Sequence, residues 1–176
     1  FFFFKQKTAY EIRNCDWSSD VCSSDLGDDP KDTPPPVFYG EELEAESAEL
    51  VWVLDASGSM SGPYPAEQYV DAQGTVQRGS RWDRMLAEFE RTLAALSENY
   101  RVNAYMFRCY SWSWGWSAEL RPATPENKAS LLAWAKSYTP GGGTGTAHAV
   151  SHALNDLDHQ GALDAPVILL SDGGPN

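Results

Sequence analysis

Two apolar runs constrain this chain more than anything else in it: Leu50-Val-Trp-Val-Leu54, which stops at Asp55, and Pro166-Val-Ile-Leu-Leu170, which stops at Ser171-Asp172. Neither alternates polar with apolar residues, so each reads as a strand buried on both faces, the kind found in parallel sheets. A third run, over residues 102–107, is interrupted only by Asn103. Helical patterns lie between the strands. Trp82, Leu86, Phe89, Leu93 and Leu96 recur at steps of three and four, which predicts a helix over residues 80–96. Thr124-Pro125-Glu126 offers an N-cap followed by proline at the first helical position, and this helix is expected to run to Tyr138. Pro140-Gly-Gly-Gly143 breaks it, and a third helix starts near Thr146 with Ala147, Val150, Leu154 and Leu157 on one face. Strands alternating with amphipathic helices predict an α/β fold: a doubly wound, mostly parallel sheet with helices on both faces.

Composition sets limits on partners. The chain has 176 residues, enough for one domain, and a formal net charge of -12. That acidity excludes a nucleic-acid backbone as the main partner, because such binding needs clustered Lys and Arg to displace counterions. No apolar window is long enough to span a membrane. Residues 1–26 are set apart. Back-translated, Lys5 to Ile12 and Asp16 to Leu26 resemble, in one reading frame, the two constant parts of a short-read sequencing adapter, and they lack the features of a signal peptide. The biological chain is therefore expected to begin near Gly27. Setting aside Lys5, Lys7, Arg13, Glu11, Asp16, Asp20 and Asp25 leaves the acidity almost unchanged. It also removes Cys15 and Cys22, so that Cys109 remains alone and neither a disulfide framework nor a thiolate zinc site is supported. Residues 27–46 read as an acidic, proline-rich linker and residues 47–176 as the domain.

In parallel α/β folds, ligands gather at the carboxyl ends of the strands. There the sequence provides Asp55, Ser57 and Ser59 after the first strand, Thr144 after the glycine run and Asp172 after the last strand. Two carboxylates and three hydroxyls form a hard oxygen set that suits Mg²⁺, Mn²⁺ or Ca²⁺ rather than zinc. With few charged ligands, the ion keeps positive charge and an open position.

The pattern Asp55-x-Ser57-x-Ser59, then Thr144, then Asp172-Gly173 resembles the von Willebrand factor type A (VWA) domain over residues 50–176. The resemblance implies a metal-ion-dependent adhesion site (MIDAS): Asp55, Ser57 and Ser59 hold the ion from the first loop, Thr144 from the second, and Asp172 acts mostly through water. It also implies a protein partner that offers an acidic side chain to the ion. Pro34-Pro-Pro-Val-Phe-Tyr-Gly40 is similar to the linkers that tether bacterial VWA proteins, which would place the full-length protein at a membrane or outside the cytoplasm. Two features depart from the family. Residues 60–79 stand where a short turn is usual and are expected beside the metal face. The chain ends at Asn176, where the family continues with a further strand and helix, so a truncated domain with an exposed sheet edge is expected.

Other signals have plainer readings beside them. Asp55, Ser57 and Ser59 alone would suit a helix cap and turn. His148, His152 and Asp156 lie in a row off the apolar stripe and read as a solvated face rather than a metal site. Trp112-Ser-Trp-Gly-Trp116 reads as a hairpin tip around Gly115, leading into a strand near residues 118–120, with the rings packing across strands rather than forming a carbohydrate platform. Gly141 to Thr146 lacks the lysine of a phosphate-binding loop. Ser57 and Ser59 do not sit in a nucleophile elbow, and Ser57 stands where an aspartyl-phosphate enzyme would need a carboxylate. A non-enzymatic, cation-dependent protein-binding module is the first reading. A VWA subunit working with a partner AAA-type ATPase is the alternative, and a hydrolase comes last.

Overall fold

The computed structural model describes residues 37–38, 41–42, 47–62, 67–71 and 73–173; the adapter-like segment and most of the linker lie outside them. Strands β1 (Val37–Phe38) and β2 (Glu41–Glu42) pair antiparallel with each other. Strand β3 (Glu49–Asp55) is buried from Leu50 onward, as an unbroken apolar run requires. A 3-10 turn follows over Gly58–Ser61, and then β4 (Glu67–Val70) and β5 (Val76–Gly79) form an antiparallel hairpin. Helix α1 (Arg81–Ala95) starts on a capping box in which the Ser80 hydroxyl accepts from the Asp83 amide and the Asp83 carboxylate accepts from the Ser80 amide. Strand β6 (Arg101–Phe107) leads into β7 (Ser113–Gly115) and β8 (Arg121–Pro122). Helix α2 (Pro125–Lys136) begins at the expected Thr124 cap, α3 spans Thr146–His159, and β9 (Val167–Leu170) is the last strand.

The chain is thus mixed α/β with a mostly parallel sheet. Its strand order is β7-β6-β3-β9, with β8 on the same edge of β6 as β7. Strand β3 pairs parallel with both neighbours, Asp55 opposite Phe107 on one side and Leu54 opposite Leu170 on the other. Alternate residues of β3 serve two cores. Leu50, Trp52 and Leu54 pack with Met85, Phe89 and Leu93 of α1 and with Leu131 and Ala135 of α2. Val51 and Val53 pack with Ala149, Ala153 and Leu157 of α3. Trp52 meets Phe89 edge to face, with ring centroids 5.1 Å apart.

Three expectations need correction. On α3 the buried positions are Ala149, Ala153 and Leu157, whereas Ala147 is exposed and Val150 and Leu154 are half-buried. Ala149 and Ala153 form the centre of the inner face, with Leu157 buried beside them and Val150 and Leu154 packed at its margin, so of the expected stripe only Ala147 falls away from the sheet. Gly115 is not a hairpin tip. It lies within β7 opposite Tyr105, where a Cβ would come within 3.2 Å of the tyrosine ring, and the turn falls at residues 108–112. Residues 118–120 form no strand. The described residues of the insertion form a hairpin of their own. Its hairpin runs alongside α1, where the Arg91 guanidinium donates to the carbonyls of Val70 and Asp71.

Candidate metal centre

The site residues sit where β3 and β9 end side by side. Asp55 is fully buried and Ser57 and Ser171 nearly so. Asp55 Oδ1 accepts from the Ser57 amide at 2.7 Å, and Oδ2 accepts from Ser171 Oγ at 2.6 Å. The chain then tightens into the 3-10 turn, which drops Met60 into the core and leaves the Ser59 side chain at the surface. Ser57 Oγ lies 3.0 Å from Ser59 Oγ, and Ser59 Oγ donates to Asp172 Oδ1 at 2.8 Å across 113 residues of sequence. Asp172 Oδ2 is taken by Arg81 Nη1 at 2.6 Å, and the same guanidinium nitrogen lies 3.4 Å from the Ser59 carbonyl. Asp55, Ser57, Ser59 and Asp172 therefore belong to one contiguous hydrogen-bonded group.

Thr144 stands apart from that network. It is half-buried, and its hydroxyl has no hydrogen-bond partner among the described residues. Its loop is nonetheless tied to the first loop, since the Gly141 amide donates to the Ala56 carbonyl at 2.8 Å and the Gly58 amide to the Gly142 carbonyl at 3.2 Å. Glycine is required for this seat. A Cβ on Gly142, whose φ is 76°, would lie 2.2 Å from the Arg108 carbonyl oxygen, and one on Gly145 would lie 2.1 Å from that of Cys109. Any side chain there would lift the loop from the end of β6. The hydroxyl of Thr146, at the start of α3, is buried without a hydrogen-bond partner among the described residues.

Burial pushes the Asp55 carboxyl above its ordinary value. Hydrogen bonds from Ser171 and Ser57 oppose that rise, and the charge on Asp172 adds to it. Among the described residues, no three His, Cys, Asp or Glu side chains converge where they could hold a metal ion. The expected donor set contains only two carboxylates, and its remaining members are hydroxyls. Oxygens of this kind fit a hard cation, and the linked Ser57–Ser59–Asp172 group together with the Thr144 hydroxyl is compatible with one.

Two residues of the site escaped the sequence reading. Ser171 directly precedes Asp172, and its place at the end of an apolar strand could have marked it. Arg81 is the first residue of α1, an electrostatically unfavourable position for a cation, and that misfit was the available signal.

A second polar cluster corrects the reading of the histidines. His148 is exposed, but His152 and Asp156 are half-buried against the sheet. Ser113 Oγ lies 2.7 Å from His152 Nδ1, and Tyr105 OH donates to Asp156 Oδ2 at 2.7 Å. Burial, followed by the contact with Asp156, raises the Tyr105 phenol well above its ordinary value, so it stays protonated and donates. His152 Nε2 and Asp156 Oδ2 stand 3.5 Å apart, longer than an ordinary hydrogen bond, and the group ties β6 and β7 to α3. The tryptophans divide. Trp116 is half-buried against the α2 side of the sheet and donates to Ser130 Oγ at 3.3 Å, and Trp114 meets Tyr138 with centroids 6.2 Å apart. Trp112 is 68% exposed, so cross-strand packing does not account for it.

No known family model matches the chain, and no curated protein matches it. No helix among the described residues is long and apolar enough to cross a membrane.

Proposed function

We propose that this chain is a doubly wound VWA-like domain that binds a divalent cation, Mg²⁺ or else Mn²⁺ or Ca²⁺, through Asp55, Ser57, Ser59, Thr144 and Asp172. Through that ion it binds an acidic side chain on a protein partner, with no catalysis of its own. The observation that carries the reading is the hydrogen bond from Ser59 to Asp172, which links two of the expected ligands across the first and last strand-end loops. Two carboxylates balance the formal charge of a divalent ion and the other three donors are neutral hydroxyls, so a partner's carboxylate would bind by filling an open coordination position, above a floor with Asp55 and Ser57 out of solvent.

The test is calorimetric titration of Mg²⁺ and Mn²⁺ into the chain and into Asp55→Asn. Saturable binding at a single site, absent from the variant, is the expected result. Equal affinity in the two proteins would remove Asp55 from the site, and no binding by a folded wild-type chain would reduce the motif to turn chemistry.

A further inference from the structure

Both oxygens of Asp172 are already committed, Oδ1 to the Ser59 hydroxyl at 2.8 Å and Oδ2 to Arg81 at 2.6 Å. The ion pair is sheltered, because the Asp172 side chain is 4% exposed and that of Arg81 32%. Arg81 is held there by more than this contact. Its backbone is the first residue of α1, fixed by the Ser80–Asp83 capping box, and its guanidinium also reaches the Ser59 carbonyl at 3.4 Å. A positive charge at a helix N-terminus is disfavoured by the helix dipole, so the side chain gains from turning outward toward a carboxylate. That carboxylate is one of the two that a divalent ion would use.

We infer that Arg81 is a built-in competitor for the divalent ion. Its guanidinium neutralises Asp172, and ion binding must displace it. The inference rests on the metal-site reading of Asp55, Ser57, Ser59, Thr144 and Asp172. A guanidinium bonded to both Asp172 and Ser59 stands within a few ångströms of an ion bound through those same residues, and two cations so close in a partly desolvated loop repel strongly. The ion and the Arg81–Asp172 pair are therefore alternatives. Arg81 sets the ion concentration at which the site loads, and loading frees the guanidinium at the rim of the site.

The experiment titrates Mn²⁺ and Mg²⁺ by calorimetry into the full chain, Arg81→Gln, Arg81→Lys and Asp55→Asn, with thermal melting in chelator as a check on folding. The capping box does not use the Arg81 side chain, so the variants should fold. Arg81→Gln is expected to bind the ions about tenfold more tightly than wild type, since it loses both the competing ion pair and the repulsion. Arg81→Lys keeps the charge and should stay near wild type. Unchanged or weaker binding by Arg81→Gln, with wild-type binding that Asp55→Asn still abolishes, would overturn the role of Arg81 and leave the metal site standing. No binding by either wild type or Arg81→Gln would overturn both.

Discussion

A carboxylate with no exposed surface at the end of an apolar strand depends on its neighbours, and Asp55 has two short hydrogen bonds to set against its burial. They do not fully compensate, because the carboxyl lies above its ordinary value, with burial as the main cause. The sign follows. Between the unfolded and folded values the folded chain binds the extra proton, so stability from this group is present at acid pH and falls as pH rises through that window. Asp55→Asn keeps the shape and an acceptor for the Ser57 amide while removing the charge. In chelator at neutral pH it should therefore melt at or above wild type, by roughly 2–4 °C for a gain of about 1 kcal/mol. In Mg²⁺ at a hundred times the dissociation constant the order should reverse, since wild type gains about 2.7 kcal/mol and the variant nothing. A variant that melts below wild type in chelator would show that the Ser171 bond matters more than the charge. Gly142→Ala tests the second loop. It places a methyl 2.2 Å from the Arg108 carbonyl at a φ of 76°, and it should cost on the order of 3 kcal/mol and weaken ion binding together. Ion affinity that survives this substitution unchanged would separate Thr144 from the site.

The elements that announce themselves in sequence are those whose burial is one-sided or complete. Strands β3 and β9 are continuous apolar runs, and of the five expected stripe residues Trp82, Phe89 and Leu93 of α1 and its C-cap Leu96 are buried, with Leu86 half-buried. What stayed hidden depends on contacts distant in sequence or on weak patterns. Strands β4 and β5 are short and polar, and β5 is exposed over most of its length, so no alternation marks them. The centre of the inner face of α3 is two alanines, which weigh little in any apolar pattern, so the pattern places His152 and Asp156 in solvent. Asp55, Ser57, Ser59 and Asp172 stand out in sequence because they follow apolar runs in a recognisable spacing, and the structure brings them into one hydrogen-bonded group, whereas Arg81 reaches Asp172 over 91 residues from a different element. The tie between α3 and the sheet can be tested at Tyr105. Tyr105→Phe removes the donor to Asp156 from a nearly fully buried position and should cost about 1 kcal/mol. Ion affinity should be unaffected, because the cluster uses none of the five site residues. A change in affinity would couple α3 to the metal centre.

For the molecule as a whole, the consequence of the sheet order lies at β9. Among the described residues β9 pairs only with β3, so no described strand takes up the N–H and C=O groups of its other edge. Two forces act on that edge in opposite directions. The backbone groups and apolar side chains favour pairing with another copy, while a formal net charge of -12 keeps copies apart. Screening decides between them, because the Debye length is about 30 Å at 0.01 M salt and about 8 Å at 0.15 M. Sedimentation velocity should therefore show a monomer at low ionic strength and concentration-dependent association as salt is raised. Leu169 is half-buried in the middle of β9, on the face shared with Val51 and Val53, and Leu169→Lys places a charge within the edge strand. Such a charge blocks pairing between edges, so the variant should remain monomeric at the salt where wild type associates. If wild type and Leu169→Lys associate alike, contact runs through another surface, and the exposed Trp112, together with Tyr110 beside the glycine loop, would be next in line.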